Sequence, residues 1–526
     1  MSKKILALLL ALAMIFSLAA CTSGGGTEPA EPSGGEGEAT GEPHYKEEIV
    51  IGMADEFTTI DPMETTAETN QIVQDCTHDL LTDTNLDTMQ NEGELVDHWE
   101  MIDPTHWRFV LKEGVKFHDG TILDTEDVRW TLMERAPQFS ATSAYAAKIK
   151  EFTIVDDLTF DIELVNGDVD FNYTFAANSL AILSKEAFES MPAEEAVKIG
   201  TGPWMFEEFV SGDYVSLVRF EDCTLYPVPN TKRLVFKMIP EASARMIALE
   251  RGEVDVIMSP NATDYNRLIE DPNLQLITET GRTQNFVGFN LQNDKSIVSN
   301  PKFRLAVAKA IDKEEMVLAA WDGYAQVSTN IHCRDMGYYH DIEGIPYDPD
   351  GAKALFEELG VDGMTIPLVT SDAAHRQKMA TNLQSQLQKY GITITIETMQ
   401  NSALTELNTS DGRTNGVELY IASWTPGKNA DYMYRNPMYS TGGRNYSHLQ
   451  DPEIDALIDA AAGEEDTNKR SELYLELETK LTCDIIPWVP IAQPTLTFGA
   501  AAGVTGAKIH PGLVHQFKEV ERLITD

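Results

Sequence analysis

Basic residues are scarce in this chain: 40 Lys and Arg stand against 84 Asp and Glu in 526 residues, a formal charge of −44. Such a surface repels phosphate backbones and anionic headgroups, which excludes a nucleic-acid partner. Cysteine is almost as rare. Beyond Cys21 there are Cys76, Cys223, Cys333 and Cys483, scattered, with no CxxC and no Cys/His ligand spacing, so no metal site is expected. One or two disulfides and buried thiols remain equal readings for those four. Long apolar runs are absent after the N-terminus, so no other segment is expected to span a bilayer. Also missing are G-x-S-x-G, H-E-x-x-H, a Walker A loop and G-x-G-x-x-G after a strand. No cofactor is called for, and weight moves from enzyme to binding protein. The nearest approach to a histidine cluster, His332-Cys333-Arg334-Asp335 with His340, reads as a polar loop.

What is present is a folded protein, with 42% hydrophobic residues and a length that implies two or three domains. The opening MSKKILALLLALAMIFSLAAC has a basic start at Lys3 and Lys4, an apolar run from Ile5 to Phe16, and a small-residue end. The run is shorter than the ~20 residues that span a membrane. Leu18-Ala19-Ala20-Cys21 looks like a bacterial lipobox, in which the Cys21 thiol takes a diacylglycerol and becomes a membrane anchor. Residues 1–21 are therefore read as a lipoprotein signal peptide. The following stretch to residue 46, rich in Gly, Pro, Ser and Glu, is read as a flexible acidic linker.

Beyond it, strand and helix patterns alternate, the mark of an α/β protein. Residues 47–54 start as a strand; 107–120 read as two short strands around Glu113-Gly114; 152–164 read as a hairpin turning at Asp156-Asp157. Ala242, Met246 and Leu249 share a helical face that ends at Gly252. Residues 364–398 form a β-α-β unit, with Met379, Leu383 and Leu387 on the helix face and a stop at Gly391. Residues 417–423 look like the next strand.

The run ELVDHWEMIDPTHWRFVLKEGVKFHDGTILDTEDVRWTLMERA (94–136) is similar to the signature region of the family 5 extracellular solute-binding proteins of peptide, dipeptide and nickel ABC importers. GTGPWMFEEFVSGDYVSL (200–217), ALERGEVDV (248–256), FVGFNL (286–291), FRLAVAKAIDKEEMV (303–317) and YDPDGAKALFEELG (347–360) match successive family elements in order. The resemblance covers residues 47 to 526. It implies a two-lobed periplasmic-binding-protein-like fold (type II, cluster C) with an extra small third domain. Lobe I would comprise 47–75, 200–283 and 490–526, the small domain 76–199, and lobe II 284–489. Ligand would sit between the lobes, which close by a hinge. The implied protein is not an enzyme but a monomeric, lipid-anchored binding protein facing outside the cytoplasm, delivering peptides to an ABC permease. A nickel chelate, haem or an oligosaccharide is the alternative cargo. A metal-dependent hydrolase using His118 and Asp119 is a remote third reading.

In peptide-binding members an Asp shortly after a Trp meets the ligand amine; the matching stretch is SWTPGKNADYMYRNP (423–437). Asp431 is the candidate carboxylate and Trp424 the aromatic wall, with a turn aspartate as the plain alternative. For the ligand carboxylate the resemblance points to Arg334, where a surface arginine is an equal reading. Tyr145 matches a region of ligand-facing tyrosines. Phe57 and Thr58 are expected to line the cleft from the loop 55–62, and Asn290 to stabilise a strand crossing. Asp119 is expected to hydrogen-bond its own loop.

Overall fold

The computed structural model describes residues 44–86, 90–334, 336–427 and 429–524. Cys21, with the leader and most of the spacer, lies outside the described residues. The spacer's last residues are already ordered: His44–Tyr45 pairs antiparallel with Ile524 and Leu523. Lys46 and Arg522 both reach the buried Asp255, each at 2.7 Å. His44–Lys46, which the expected linker included, are instead held by a strand pairing and a buried carboxylate.

Twelve strands form one mixed sheet. Its order is Thr393–Met399, Thr365–Ser371, Leu419–Trp424, Gln284–Phe289, Trp488–Ala501, Val256–Met258, Glu48–Met53, Arg233–Met238, Tyr214–Arg219 and Trp204–Val210. Leu274–Thr280 and Ala325–Val327 pair with Trp488–Ala501 as side branches. Glu48–Met53 lies between two parallel partners, with Ile51 opposite both Phe236 and Val256. Ile49, Ile51, Leu234, Phe236 and Phe498 pack there into one core. Parallel strands covered on both faces need continuous apolar residues, which is what EIVIGM and RLVFKM supply. The other half carries a second core around Phe289, Leu368, Leu383, Leu387 and Ile421. Its β-α-β unit has strands Thr365–Ser371 and Thr393–Met399 in parallel register. Between them helix Ala374–Gln388 buries Met379, Leu383 and Leu387 completely. Each of those side chains stabilises the fold by about 1.5–3 kcal/mol.

The fourteen-residue strand Trp488–Ala501 belongs to both halves. Its first residues pair with Gln284–Phe289, and Phe498–Ala500 pair with Val256–Met258. Beside the midpoint, the Gly281 amide donates to the Pro494 carbonyl at 2.9 Å, and Gln493 Nε2 donates to the Gly281 carbonyl at 2.9 Å. The two chain passages between the halves therefore run side by side.

A separate four-stranded antiparallel sheet orders Val96–Asp103, His106–Leu111, Thr159–Leu164 and Ile149–Ile154. Phe109, Phe160, Phe171 and Phe175 make its core. The expected second strand after Glu113-Gly114 does not form; only a single bridge joins Lys116 and Ile122. Positive φ at Gly114 (75°) and Gly120 (89°) makes this stretch a pair of turns. Val115 and Phe117 still point inward together. Asp119 accepts from the Thr121 amide at 3.0 Å, within its own turn.

His118 holds this turn to the segment 198–202. Its Nδ1 accepts from the Gly200 amide at 3.2 Å and its Nε2 faces the Gly202 carbonyl at 2.9 Å. A neutral ring protonated on Nε2 satisfies both, and burial lowers the imidazole pKa accordingly. A Cβ on Gly200 would lie 2.0 Å from the Thr77 carbonyl oxygen, so only glycine fits this crossing. Next to it Lys518 lies buried among Asp75, Asp79 and Glu94, with Asp79 at 2.9 Å and Asp75 at 3.6 Å. Asp79 also accepts from the Thr201 hydroxyl at 2.7 Å. One ammonium thus ties together the first described helix, Glu68–Thr77, the turn before the small sheet and the last described segment.

Candidate functional site

Strand Leu419–Trp424 ends at Trp424, and Asn429 caps the helix Ala430–Met438 by accepting from the Tyr432 amide at 2.9 Å. That cap sets the first turn of the helix, so Asp431 and Tyr432 project beside the end of the strand. Trp424 stacks on Tyr432 with centroids 5.5 Å apart and planes 25° apart. The indole N–H of Trp424 is buried without a hydrogen-bond partner.

Two adjoining cavities open here, of about 540 Å³ and 640 Å³, sharing Lys148, Asn429 and Tyr432 as wall. Both fall within the usual size of small-ligand sites. The first is lined by Tyr145, Tyr173, Arg282 and Thr425 among others, the second by Asp168, Asp170, Asp431 and Arg435. Lys148 Nζ lies 3.0 Å from Asp168, and Asp170 lies 2.7 Å from Arg470. Burial pushes the Asp170 carboxyl up to about 6 even against the Arg470 guanidinium. Asp431 accepts from Arg435 Nε at 3.0 Å and 2.9 Å, and Arg435 Nη1 reaches Asp459 at 2.8 Å. Burial raises the Asp431 pKa, opposed by Arg435. Asp431, on the wall, shares Arg435 with Asp459, which lies off the wall and more than half exposed, so two carboxylates meet one guanidinium.

The site residues expected from sequence fall into two groups. Asp431 and Tyr145 stand on the cavity walls, and Trp424 backs Tyr432. Arg334 does not face the cavities; it lies 3.6 Å from Asp341 and over the Tyr339 ring, at the surface. Phe57 is a correction: it is 1% exposed and packs edge-on against Phe209 at 5.1 Å, inside the first core. Thr58 is off both walls as well, its hydroxyl accepting from Asn70 Nδ2 at 3.1 Å. Asn290 donates to the Gly412 and Val417 carbonyls at 2.7 Å and 2.9 Å, fixing a crossing. Lys148, Asp168, Asp170, Tyr432 and Arg435 were not singled out from the sequence. The turn Asn166-Gly167-Asp168 beside Asp170 was the available signal. The four described cysteines form no disulfide, and no metal-binding cluster occurs among the described residues.

An α/β sheet in two halves joined by paired crossings, with a small third sheet and charged cavities, defines a two-lobed periplasmic-type binding protein. Residues 91–446 match the bacterial extracellular solute-binding proteins, family 5, and the chain belongs to that family. It is 24% identical over 490 residues to the glutathione-binding protein GsiB of Salmonella paratyphi A, covering 90% of this chain and 94% of that one. It is 26% identical over 463 residues to the dipeptide-binding protein of Escherichia coli, covering 81% and 85%. The structure of HbpA2 from Haemophilus parasuis superposes with a TM-score of 0.81 at 23% identity, covering 91% of this chain and all of that one. The chain is thus an ABC-transporter solute-binding protein and not an enzyme. Among the described residues no helix is long and apolar enough to cross a membrane.

Proposed function

We propose that the protein captures short peptides in the two adjoining cavities and hands them to an ABC permease, held at the outer face of the membrane by a lipid on Cys21. The observation that carries this reading is Asp431 on the cavity wall, its one guanidinium, Arg435, shared with Asp459, next to the Trp424–Tyr432 stack. A ligand ammonium at Asp431 makes two cations for two carboxylates and offsets the burial that raises the Asp431 pKa. Charge-assisted pairs of this kind contribute about 1.5–3 kcal/mol. The aromatic stack and the roomy second cavity accept varied side chains. Dipeptide and glutathione appear in the names of two relatives, in keeping with such cargo.

The test is mass spectrometry of the purified protein after denaturation, together with thermal-shift titration of peptide pools. Released peptide, and a rise in Tm that Asp431→Ala abolishes, are the expected results. If no peptide is released and no pool raises the Tm, the reading fails. Binding that requires added metal, or persists unchanged in Asp431→Ala, would favour a chelate, haem or another non-peptide solute.

A further inference from the structure

Asp170 and Arg470 meet from different bodies of the molecule. Asp170 follows the turn Asn166-Gly167-Asp168, its amide donating to Asp168 Oδ1 at 3.1 Å. It leads into Phe171–Ala176, whose Phe171 and Phe175 fill the core of the small sheet. Arg470 stands near the start of helix Thr467–Thr479, which Asp466 caps and which buries Tyr474 and Leu477 in a further core of the second half. Each residue is thus fixed to its own body. Arg470 Nη1 donates to Asp170 at 2.7 Å and to the Tyr338 hydroxyl at 3.0 Å, and its Nε donates to the Glu464 carbonyl at 2.7 Å. The two side chains are only 5% and 8% exposed. Tyr338, which packs on Tyr474 with centroids 5.2 Å apart, holds φ at 62°, a left-handed backbone that a tyrosine seldom adopts without a use for it.

The path of the chain decides what this pair can do. The small sheet is entered from Glu68–Thr77 and left into Trp204–Val210, both packed into the first half, and the Lys518 cluster fastens it there. Among the described residues none of its strands pairs with the second half. The halves are joined by two passages that run side by side at Gly281 and Gln493. Side-by-side passages leave an axis about which the second half can turn, and turning about it parts Asp170 from Arg470. The same turn opens the larger cavity, whose wall takes Asp168 and Asp170 from the small sheet and Asp431, Tyr432 and Arg435 from the second half. Together the pair is desolvated; apart, each charge returns to water. Removing one partner therefore penalises the closed arrangement alone, because only there does the other charge stay buried without its counter-ion.

We propose that Asp170 and Arg470 are a latch between the small sheet and the second half, one that holds the larger cavity shut and parts when the halves turn about the two passages. The latch rests on the cavities as the ligand site and on no particular cargo. Tyr338 and the Glu464 carbonyl are positioning groups: they keep the guanidinium aimed at Asp170, so the pair re-forms in one geometry each time the halves close.

The experiment combines small-angle X-ray scattering with hydrogen–deuterium exchange mass spectrometry on the purified protein, refolded free of co-purified ligand. Arg470→Gln and Asp170→Asn are each expected to raise the radius of gyration and to speed exchange at least about tenfold in the facing walls, residues 165–176 and 429–435. Strands Glu48–Met53 and Thr365–Ser371, inside the two halves, should exchange as in the wild type. The double variant Asp170→Asn/Arg470→Gln buries no unpaired charge, so its wall exchange should return to within about threefold of wild type. Unchanged size and wall exchange in both single variants, or a double variant as open as the two singles combined, overturns the latch. Faster exchange in the two inner strands as well, or failure of both singles to fold, would make the pair a tie of the whole fold and overturns it equally. No ligand is added, so loss of the latch leaves peptide capture intact, and a protein that binds no peptide leaves the latch intact.

Discussion

Replacing Lys518 by Met removes the one cation from a buried group of three carboxylates. Asp75, Asp79 and Glu94 surround its ammonium, and the Tyr226 hydroxyl lies 3.0 Å away. Taking one partner out of a buried ion group costs about 3–5 kcal/mol, chiefly because the remaining charges stay desolvated. The cost depends on pH in a defined direction. Burial raises the Asp75 carboxyl to about 8 and the Glu94 carboxyl to about 7. Acids whose folded pKa exceeds the unfolded value favour the fold at low pH, and that contribution is lost as pH rises through about 7 to 8. At pH 5 both are neutral, and the loss on Lys518→Met should fall to about 1–2 kcal/mol. At pH 8.5 the wild-type acids ionise against their ammonium, whereas the variant lacks the cation that lowers both pKa values and must hold them protonated in a basic medium, so the full loss appears. For a chain of this length each kcal/mol moves Tm by roughly 1 °C, so wild-type and variant curves should separate by about 3–5 °C at pH 8.5 and by about 1–2 °C at pH 5. Differential scanning calorimetry at both pH values reads this directly. An equal separation at the two pH values, or a larger one at pH 5, would refute the account of the cluster as over-supplied with carboxylates.

Three further outcomes are expected. His118→Ala removes the clamp on Gly200 and Gly202 and should cost about 1–3 kcal/mol in urea unfolding, with ligand affinity unchanged; a loss of hydrolytic turnover instead would revive a catalytic role. Phe57→Ala should cost about 3–5 kcal/mol for an emptied core position, and a variant that kept its stability but lost ligand affinity would place Phe57 in the cleft after all. Gly200→Ala meets the Thr77 carbonyl oxygen at 2.0 Å and should leave little folded protein by circular dichroism; a Tm within a degree or two of wild type would show that the crossing can shift.

The β-α-β unit at 364–398 was legible because its helix face and both strands carry unbroken periodic patterns that tertiary packing had no reason to override. The stretch around Asp431 was read through its motif, not through periodicity, and the fold brings Asp431 to a cavity wall. Arg334 and Phe57 were misplaced for one reason: both sit in loops, where neither a period of two nor of 3.6 reports which way a side chain turns. Phe57 turned inward to fill the space beside Phe209, and Arg334 turned outward to Asp341. Asp168, Asp170 and Lys148 were missed because their loops meet helix Ala430–Met438 only through long-range packing, as the Asp170–Arg470 pair across 300 residues illustrates. The strand expected after Gly114 failed because two left-handed glycines curl the segment before a ladder can extend.

The tie around Asp255 has a consequence for how the chain comes into being. Lys46, near the start of the described residues, and Arg522, near their end, reach the same buried carboxylate, and Lys518 closes the neighbouring cluster. The strand Trp488–Ala501 that both halves share also lies in the last tenth of the sequence. During synthesis the small sheet can assemble early, since its partners are all within 96–164. The large sheet cannot: until residues 488–522 have left the ribosome, Gln284–Phe289 and Val256–Met258 present open edges and Asp255 lacks Arg522. The two halves therefore complete together once this strand is made, and a chain lacking residues 488–501 would lose both instead of one.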